Sequence, residues 1–368
     1  MKILLLSDIN SAHTQKWAIA LSQRGITIAI FSISKPQKNW YSEHSISLLN
    51  IPKIKNSTTL SNIFYKFNYI RSLFQLNKII KQFKPDIVHA HYATSYGLMG
   101  ALSNFHPLII SAWGTDVMDF PNKSFLHKKL LSFNLKKADL VLATSNTIEK
   151  AISKICNVKT KKIAFGIDVY IFKPQIVTNN FDTNTIVVGT IKSLEQIYGI
   201  DILIKAYKLI VTKYSDKSIK LLIIGSGSKE QEYKELVRDL SLQEKVVFMG
   251  KIDFVNIPIY HNMIDIFVNV SRNESFGVSV IEASACENPV IASNIGGLKE
   301  VVINNETGFL VESEDVNAVA DAIEKLLLNK PLREDFGRKG REFVNKYFNL
   351  SSNADDLIKI YSQFTKNN

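Results

Sequence analysis

The sequence predicts an α/β protein built from two doubly wound parallel sheets, and three observations predict it. Short β-branched apolar runs alternate with helical stretches of ten or more residues along the chain, the signature of parallel strands joined by crossover helices. The alternation breaks at an Asn-, Thr- and Asp-rich stretch, residues 178–185, just after Pro174, and then restarts, as at a linker between domains. The length of 368 residues is more than one ordinary core accommodates and suits two.

The elements follow in order. Lys2-Ile3-Leu4-Leu5-Leu6 meets Ser7-Asp8 at once; this is too short for a secretory apolar core and reads as a first buried strand. Residues 14–23 have helical spacing closed by Gly25, and 26–33 is again β-branched. Strands are expected at 86–91, 108–111 and 140–143. Past the linker come a strand at 186–189, a helix at 199–214, a strand at 221–225 and a Glu/Lys-rich helix at 229–240. Strands at 246–248, 264–270 and 289–292 follow. The expected division is 1–175 and 186–349, two Rossmann-like domains, with a C-terminal helix 350–368 left to pack back on the first. Ligands bind beyond the carboxyl ends of such strands, so the crevice between the domains is the expected site.

Composition narrows the class. Apolar residues are 46% and charged residues 21%, globular values, and 16 Gly with 9 Pro exclude collagen-like and low-complexity architectures. No run approaches the ~18 apolar residues of a membrane span. Cys156 and Cys286 form neither a disulfide framework nor a metal pattern, which suits a reducing cytoplasm. Charge is uneven: residues 1–170 hold 22 basic against 8 acidic residues, a balance of +14, and the rest stands at −3. A basic half suggests an anionic surface as partner, and a merely Lys-rich solvated surface is the alternative. Nucleic acid is disfavoured because only seven of 45 basic residues are Arg, the residue suited to bidentate reading of bases and phosphates. Residues 60–84 are helical in period, rich in Phe, Tyr and Ile, and carry Lys66, Arg71, Lys78, Lys81 and Lys84 without an acid. Residues 120–137 add Lys123, Lys128, Lys129, Lys136 and Lys137. Such basic amphipathic helices lie on anionic membranes; an ordinary surface helix with its stripe in the core has the same pattern.

Two glycine-bearing turns and one acidic stretch are candidates for chemistry. Gly225-Ser226-Gly227 follows a strand and precedes a helix, but the third glycine of a dinucleotide fingerprint is missing and no Walker lysine accompanies it. What remains is a tight turn whose amides suit an anion. Ser271-Arg272-Asn273-Glu274-Ser275-Phe276-Gly277-Val278 leads into Ser279-Val280-Ile281-Glu282. A helix beginning near Phe276 offers its first-turn amides to phosphate or sugar hydroxyls, with Glu282 facing the same ligand and Glu274 in the preceding loop. Two glutamates eight apart are also what a solvated helix face shows. Ser293-Asn294-Ile295-Gly296-Gly297 gives a further Gly-rich turn.

The order strand, Ser-Arg-Asn-Glu-Ser-Phe-Gly, helix with Glu, strand, Gly-Gly loop resembles the nucleotide-sugar site of the family-4 glycosyltransferases, whose fold is GT-B. The resemblance runs over essentially the whole chain. It takes in Lys84-Pro85-Asp86-Ile87-Val88-His89-Ala90-His91 and Ile163-Ala164-Phe165-Gly166-Ile167-Asp168 with Phe172-Lys173-Pro174. It continues through Val188-Gly189-Thr190-Ile191-Lys192, Tyr198-Gly199-Ile200-Asp201 and Phe248-Met249-Gly250. It implies retaining transfer of a sugar from a nucleotide diphosphate sugar, used as co-substrate, with no cofactor and no catalytic metal. It also implies roles. Glu282 takes the ribose hydroxyls, Glu274 lies beside the donor sugar, and Phe276, Gly277 and Val278 offer amides to sugar and phosphate. Gly189, Gly225 and Gly227 allow close packing near the nucleotide, and the Gly250 loop holds the base.

The sequence departs from the family pattern at several positions. Thr190 and Tyr198 stand where many members carry a cationic diphosphate clamp. Lys192 is the nearest cation and is assigned the clamp role, with Arg272 and Lys299 as weaker candidates and a solvated loop lysine as the alternative. Trp113, in Trp113-Gly114-Thr115-Asp116, replaces a His of many members, so that residue's polar task passes to Asp116, His91 or a backbone group, or is absent. Asp116 also fits a helix cap. Asn10-Ser11-Ala12-His13 stands in place of an early Gly-Gly loop. It puts Ser11 and His13 on the phosphate or acceptor side, along with His91 and Trp113, and His13 serves equally as a cap or core histidine. The expected partners are thus a nucleotide diphosphate sugar, a glycan or lipid-linked acceptor and an anionic membrane surface, at a cytoplasmic location. A sugar-nucleotide epimerase of the same fold and a non-catalytic nucleotide-binding subunit are the rival readings.

Overall fold

The computed structural model describes residues 1–49, 62–177, 181–182 and 184–365, with residues 62–70 by their backbone. It divides into two units: Met1–Ala164 together with Leu350–Asn368, and Phe165–Asn349. Both are α/β units around wholly parallel sheets.

Unit 1 holds β1 (Lys2–Leu6), β2 (Thr27–Phe31), β3 (Ser47–Leu48), β4 (Ile87–His91), β5 (Leu108–Ala112), β6 (Leu140–Ala143) and β7 (Thr160–Lys162) in the order β3-β2-β1-β4-β5-β6-β7. β4 and β5 are buried at every position, which is why neither shows the apolar–polar alternation of a half-exposed strand. The edge strands β3 and β7 carry no such run, and the sequence pattern does not announce them. The C-terminal helix Leu350–Thr365 joins this unit, sinking Ala354, Leu357, Ile360 and Tyr361 among Ile3, Leu5, Ile87 and Ile109.

Unit 2 repeats the winding. Its strands are β8 (Ile186–Ile191), β9 (Ile219–Ile224), β10 (Val246–Gly250), β11 (Ile266–Asn269), β12 (Val290–Ser293) and β13 (Gly308–Val311), in the order β10-β9-β8-β11-β12-β13. The order reverses between β1 and β4 in unit 1 and between β8 and β11 in unit 2. These are the switch points at which loops diverge to opposite faces and leave room for a ligand.

The boundary differs from the expected one. Residues 165–175, expected with the first domain, fold with the second. Phe165 packs edge-on against Phe276, and Phe276 likewise against Phe348. The Ile167 amide donates to the Phe348 carbonyl at 2.9 Å, and Asn262 bonds the backbone of Lys173 and Gln175. The Asn/Thr-rich stretch therefore lies inside unit 2, and its residues 178–180 and 183 are outside the described set, as are Leu60, Ser61, residues 366–368 and the Lys66 side chain. The two basic segments form helices Asn62–Phe83 and Phe125–Lys137. Among the described residues no helix is long and apolar enough to cross a membrane.

Candidate active site

The unit 2 switch point collects most of the predicted donor-side residues. Lys192 directly follows β8 and Glu274 lies in the loop after β11, and their side chains form an ion pair, both about seven-eighths buried. The ammonium group also stands 4.4 Å from the centroid of the Tyr198 ring, within cation–π range. Tyr198, which stands where the resemblance leads to the expectation of a cationic clamp, thus contacts the lysine expected to take that role. Partly desolvated, this Lys–Glu pair interacts far more strongly than one in water, and its three donors and two acceptor oxygens meet at the switch point.

Backbone packing fixes where these two loops lie. Gly225 has φ +137°, and a Cβ there would stand 1.9 Å from the Lys192 carbonyl oxygen; Gly227 abuts Leu194 in the same way. Gly296 (φ +43°) would put a Cβ 2.2 Å from the Glu274 carbonyl oxygen, and the Gly297 amide donates to that oxygen at 2.9 Å. Both Gly-rich turns, expected to pack closely beside the ligand, pack directly on the backbone of the Lys192 and Glu274 loops, where only a residue without Cβ fits so close. Gly189 is within β8 against Ile264, and Gly250 ends β10, where its carbonyl accepts from the Gly225 amide at 2.8 Å.

The helix predicted near Phe276 runs Val278–Ala285, with Gly277 at its N-cap. Phe276 is a core anchor between Phe165 and Phe348, so only its backbone is left for a ligand. Glu282 is buried, which removes the solvated-face alternative. Its Oε2 lies 3.8 Å from Nε2 of His261, a residue that the sequence reading passed over. Arg272 is excluded as a clamp. Its guanidinium bonds both Asp201 oxygens at 2.9 and 2.8 Å, the Gln196 carbonyl at 2.6 Å, and Glu314. Burial works to raise the Asp201 carboxyl, and Arg272 outweighs it, holding that group below the usual carboxylate range. Lys299 is exposed.

In unit 1 His13, His91 and Trp113 of the predicted residues are also gathered. His91, the last residue of β4, shares a 3.1 Å hydrogen bond with Ser7, which shares one of 2.5 Å with Thr14. The His91 ring is 4.8 Å from Trp113 and 4.7 Å from His89, and Trp113 is 5.5 Å from His13. His89 is joined to Tyr361 of the C-terminal helix at 2.6 Å and to Ser111 at 2.8 Å. Burial pushes His89 down to about 3 and His91 well below the usual imidazole range, with His89 and His13 adding to the latter. Ser11 precedes helix Ala12–Ser22 at its N-cap, through its backbone and not its hydroxyl.

Asp116 is fully buried and both its oxygens are engaged. Oδ2 accepts from the Ala93 amide at 2.7 Å, and Oδ1 from Gly114 at 2.7 Å and Trp113 at 3.1 Å. Burial holds its carboxyl above the usual carboxylate range, and these amides offset that only in part. Sequence reasoning gave Asp116 a catalytic role; here it braces the loops after β4 and β5, with its bonds running back to them and not to the helix it opens.

Comparison with known proteins follows the same division. Residues 172–343 match the model described as glycosyl transferases group 1, and residues 2–145 that described as glycosyl transferase 4-like. The chain is 26% identical to the N-acetyl-alpha-D-glucosaminyl L-malate synthase of Bacillus anthracis, over 75% of this chain and 74% of that one. It is 36% identical to the capsular polysaccharide biosynthesis glycosyltransferase CapM of Staphylococcus aureus, over 52% and 48%. Sucrose-phosphate synthase from Thermosynechococcus elongatus superimposes with a TM-score of 0.86 at 23% identity, covering both chains fully. HepE from Anabaena, solved with UDP-glucose, does so with 0.79 at 20% identity, covering 99% of this chain and 100% of that one.

Proposed function

Since the chain belongs to the family-4 type glycosyltransferases of the GT-B fold, we propose that it is a retaining enzyme that moves a sugar from a nucleotide diphosphate sugar to a cell-envelope glycan or lipid-linked acceptor. One observation carries the reading: the Lys192–Glu274 pair on the Tyr198 ring at the unit 2 switch point, with buried Glu282 on the following helix. The donor that HepE holds and the glycan work named for CapM support it.

The main burden of such a transfer is the charge that develops on the departing diphosphate. Lys192 and the first-turn amides of Val278–Ala285 are fixed donors for that charge, and preorganised donors of this kind are worth several kcal/mol. No metal enters this scheme. Glu274 holds Lys192 in place and lies beside the sugar, and Glu282 accepts from ribose hydroxyls. The acceptor attacks on the face that the leaving group vacates, so the anomeric configuration is kept without a protein nucleophile.

Unit 1 supports the acceptor half of the reading. Helix Asn62–Phe83 exposes Arg71, Phe74, Lys78 and Lys81, and helix Phe125–Lys137 exposes Phe125, Leu126, Lys128 and Lys129. Both pack on helix Ser95–Ser103, whose Leu102 is also exposed. Bare Phe and Leu among lysines without an acid suit an anionic lipid surface, at the inner face of a cell membrane. Sedimentation with anionic against neutral vesicles tests this.

The donor half is tested with the purified chain and a panel of UDP- and GDP-sugars. The expected outcome is release or transfer of one sugar with its configuration kept, and Glu282→Ala weakening nucleotide binding by about 1–3 kcal/mol. An altered sugar still on its nucleotide would make the protein an epimerase, and binding without turnover a non-catalytic subunit.

A further inference from the structure

His261 ends the short helix Ile257–His261 and its ring is fully buried. It lies between the rings of Phe172, at 6.0 Å, and Phe267, at 5.3 Å, and its carbonyl oxygen accepts from the Asn288 side chain at 2.8 Å. The backbone is therefore held and the ring is packed on apolar surfaces. Yet neither ring nitrogen has a hydrogen-bond partner among the described residues. A neutral imidazole always carries one N–H and one bare nitrogen, and an orphaned buried donor is costly. The nearest charged group, 3.8 Å from Nε2, is Oε2 of Glu282. A shift of about 1 Å brings that contact into the range of an N–H···O bond. The carboxylate is itself buried on Val278–Ala285.

We propose that His261 is a positioning residue for Glu282: Nε2–H donates to Oε2 and turns the carboxylate so that Oε1 meets the vicinal hydroxyls of the bound nucleoside. This rests on the reading of Glu282 as the ribose-binding residue. It assigns to a histidine 21 positions upstream in the sequence the orientation of that group. A carboxylate fixed at one oxygen loses less freedom on binding than a free one, which raises affinity without touching the reacting atoms.

The contact itself is tested in the free, full-length protein by nitrogen-15 spectra of its histidines. A ring N–H protected from exchange, whose resonance moves in Glu282→Gln, is expected; a His261 ring resonance indifferent to that change overturns the proposal. Function is tested by titrating UDP and GDP into His261→Phe, which keeps the ring volume but removes the donor, and His261→Gln, which restores a donor near Nε2. His261→Phe is expected to raise the donor KM and nucleotide Kd about tenfold with kcat changed less than about twofold. His261→Gln is expected to recover most of the loss, and His261→Phe to add nothing in the Glu282→Gln background. Equal losses in kcat and KM, or no rescue by Gln in a protein of unchanged melting temperature, would leave His261 a packing residue. Unchanged nucleotide affinity in Glu282→Gln alone would instead remove the underlying reading of Glu282.

Discussion

The two units wind the same strand order, and the carboxyl ends of their central strands carry opposite chemistry. In unit 1, Ser7 after β1 bonds Thr14 and His91, and His89 within β4 bonds Tyr361 and Ser111, with both histidines held uncharged by burial. After β8 and β11, unit 2 places an ammonium and a carboxylate against each other. The same topology thus offers one end suited to neutral hydroxyls and one suited to a charged leaving group. The difference comes from a handful of loop residues and not from the sheet, as expected where function is grafted on a shared fold.

If unit 2 carries the charge of the reaction, removing its cation should have the largest effect. Lys192→Ala is expected to lower kcat by about 10²–10³, the loss seen when one preorganised donor is deleted, while UDP affinity falls less. Steady-state kinetics with calorimetric binding checks this. Equal losses in kcat and affinity would make Lys192 a binding residue and weaken the contrast between the units.

The complementary test acts on unit 1. His89 binds its proton at about pH 3 when folded and near 6.5 when unfolded. The unfolded chain therefore takes up the proton first as pH falls. The contribution of His89 is complete above pH 6.5 and is lost below it, by about 2 kcal/mol at pH 5, and His91 acts in the same direction. Unit 2 contains a single histidine, His261. Hydrogen exchange followed between pH 7 and 5 should show protection lost in β4 and β5 before β8 and β11. Loss in step across both sheets would remove the asymmetry.

Much of this was legible in the sequence, for identifiable reasons. Buried parallel strands such as β4, β5 and β9 are predominantly apolar and do not alternate, and residues 266–282 keep their order as strand, loop and helix because neighbouring residues determine each step. The Lys192–Glu274 contact was not legible as a pair, since the partners are 82 positions apart and only the adjacency of β8 and β11 brings them together. That residues 165–175 belong with unit 2 is not legible either, because the anchors of this stretch, Phe276 and Phe348, are more than a hundred positions downstream. The bonding of Asp116 is not legible in the sequence for a related reason. A carboxylate after a Gly-turn looks the same whether it faces a substrate or the Ala93 amide. His261, alone among Tyr260, Asn262 and Met263, gave no periodic or motif signal.

The smallest expected effect is at Tyr198. Its ring lies beneath Lys192, whereas the ring contacts of His89 and His91 in unit 1 are with each other, Trp113 and Tyr361. Replacing it by Leu keeps an apolar body and removes the π-face. A partly buried cation–π contact is worth about 1 kcal/mol, so kcat should fall about fivefold with the melting temperature nearly unchanged. Tyr198→Phe, which retains the face, should stay close to the native rate. A Phe variant as impaired as the Leu variant would transfer the effect to the hydroxyl, and Tyr198 would then belong with the ligand's hydrogen-bond partners and not with the support of the cation.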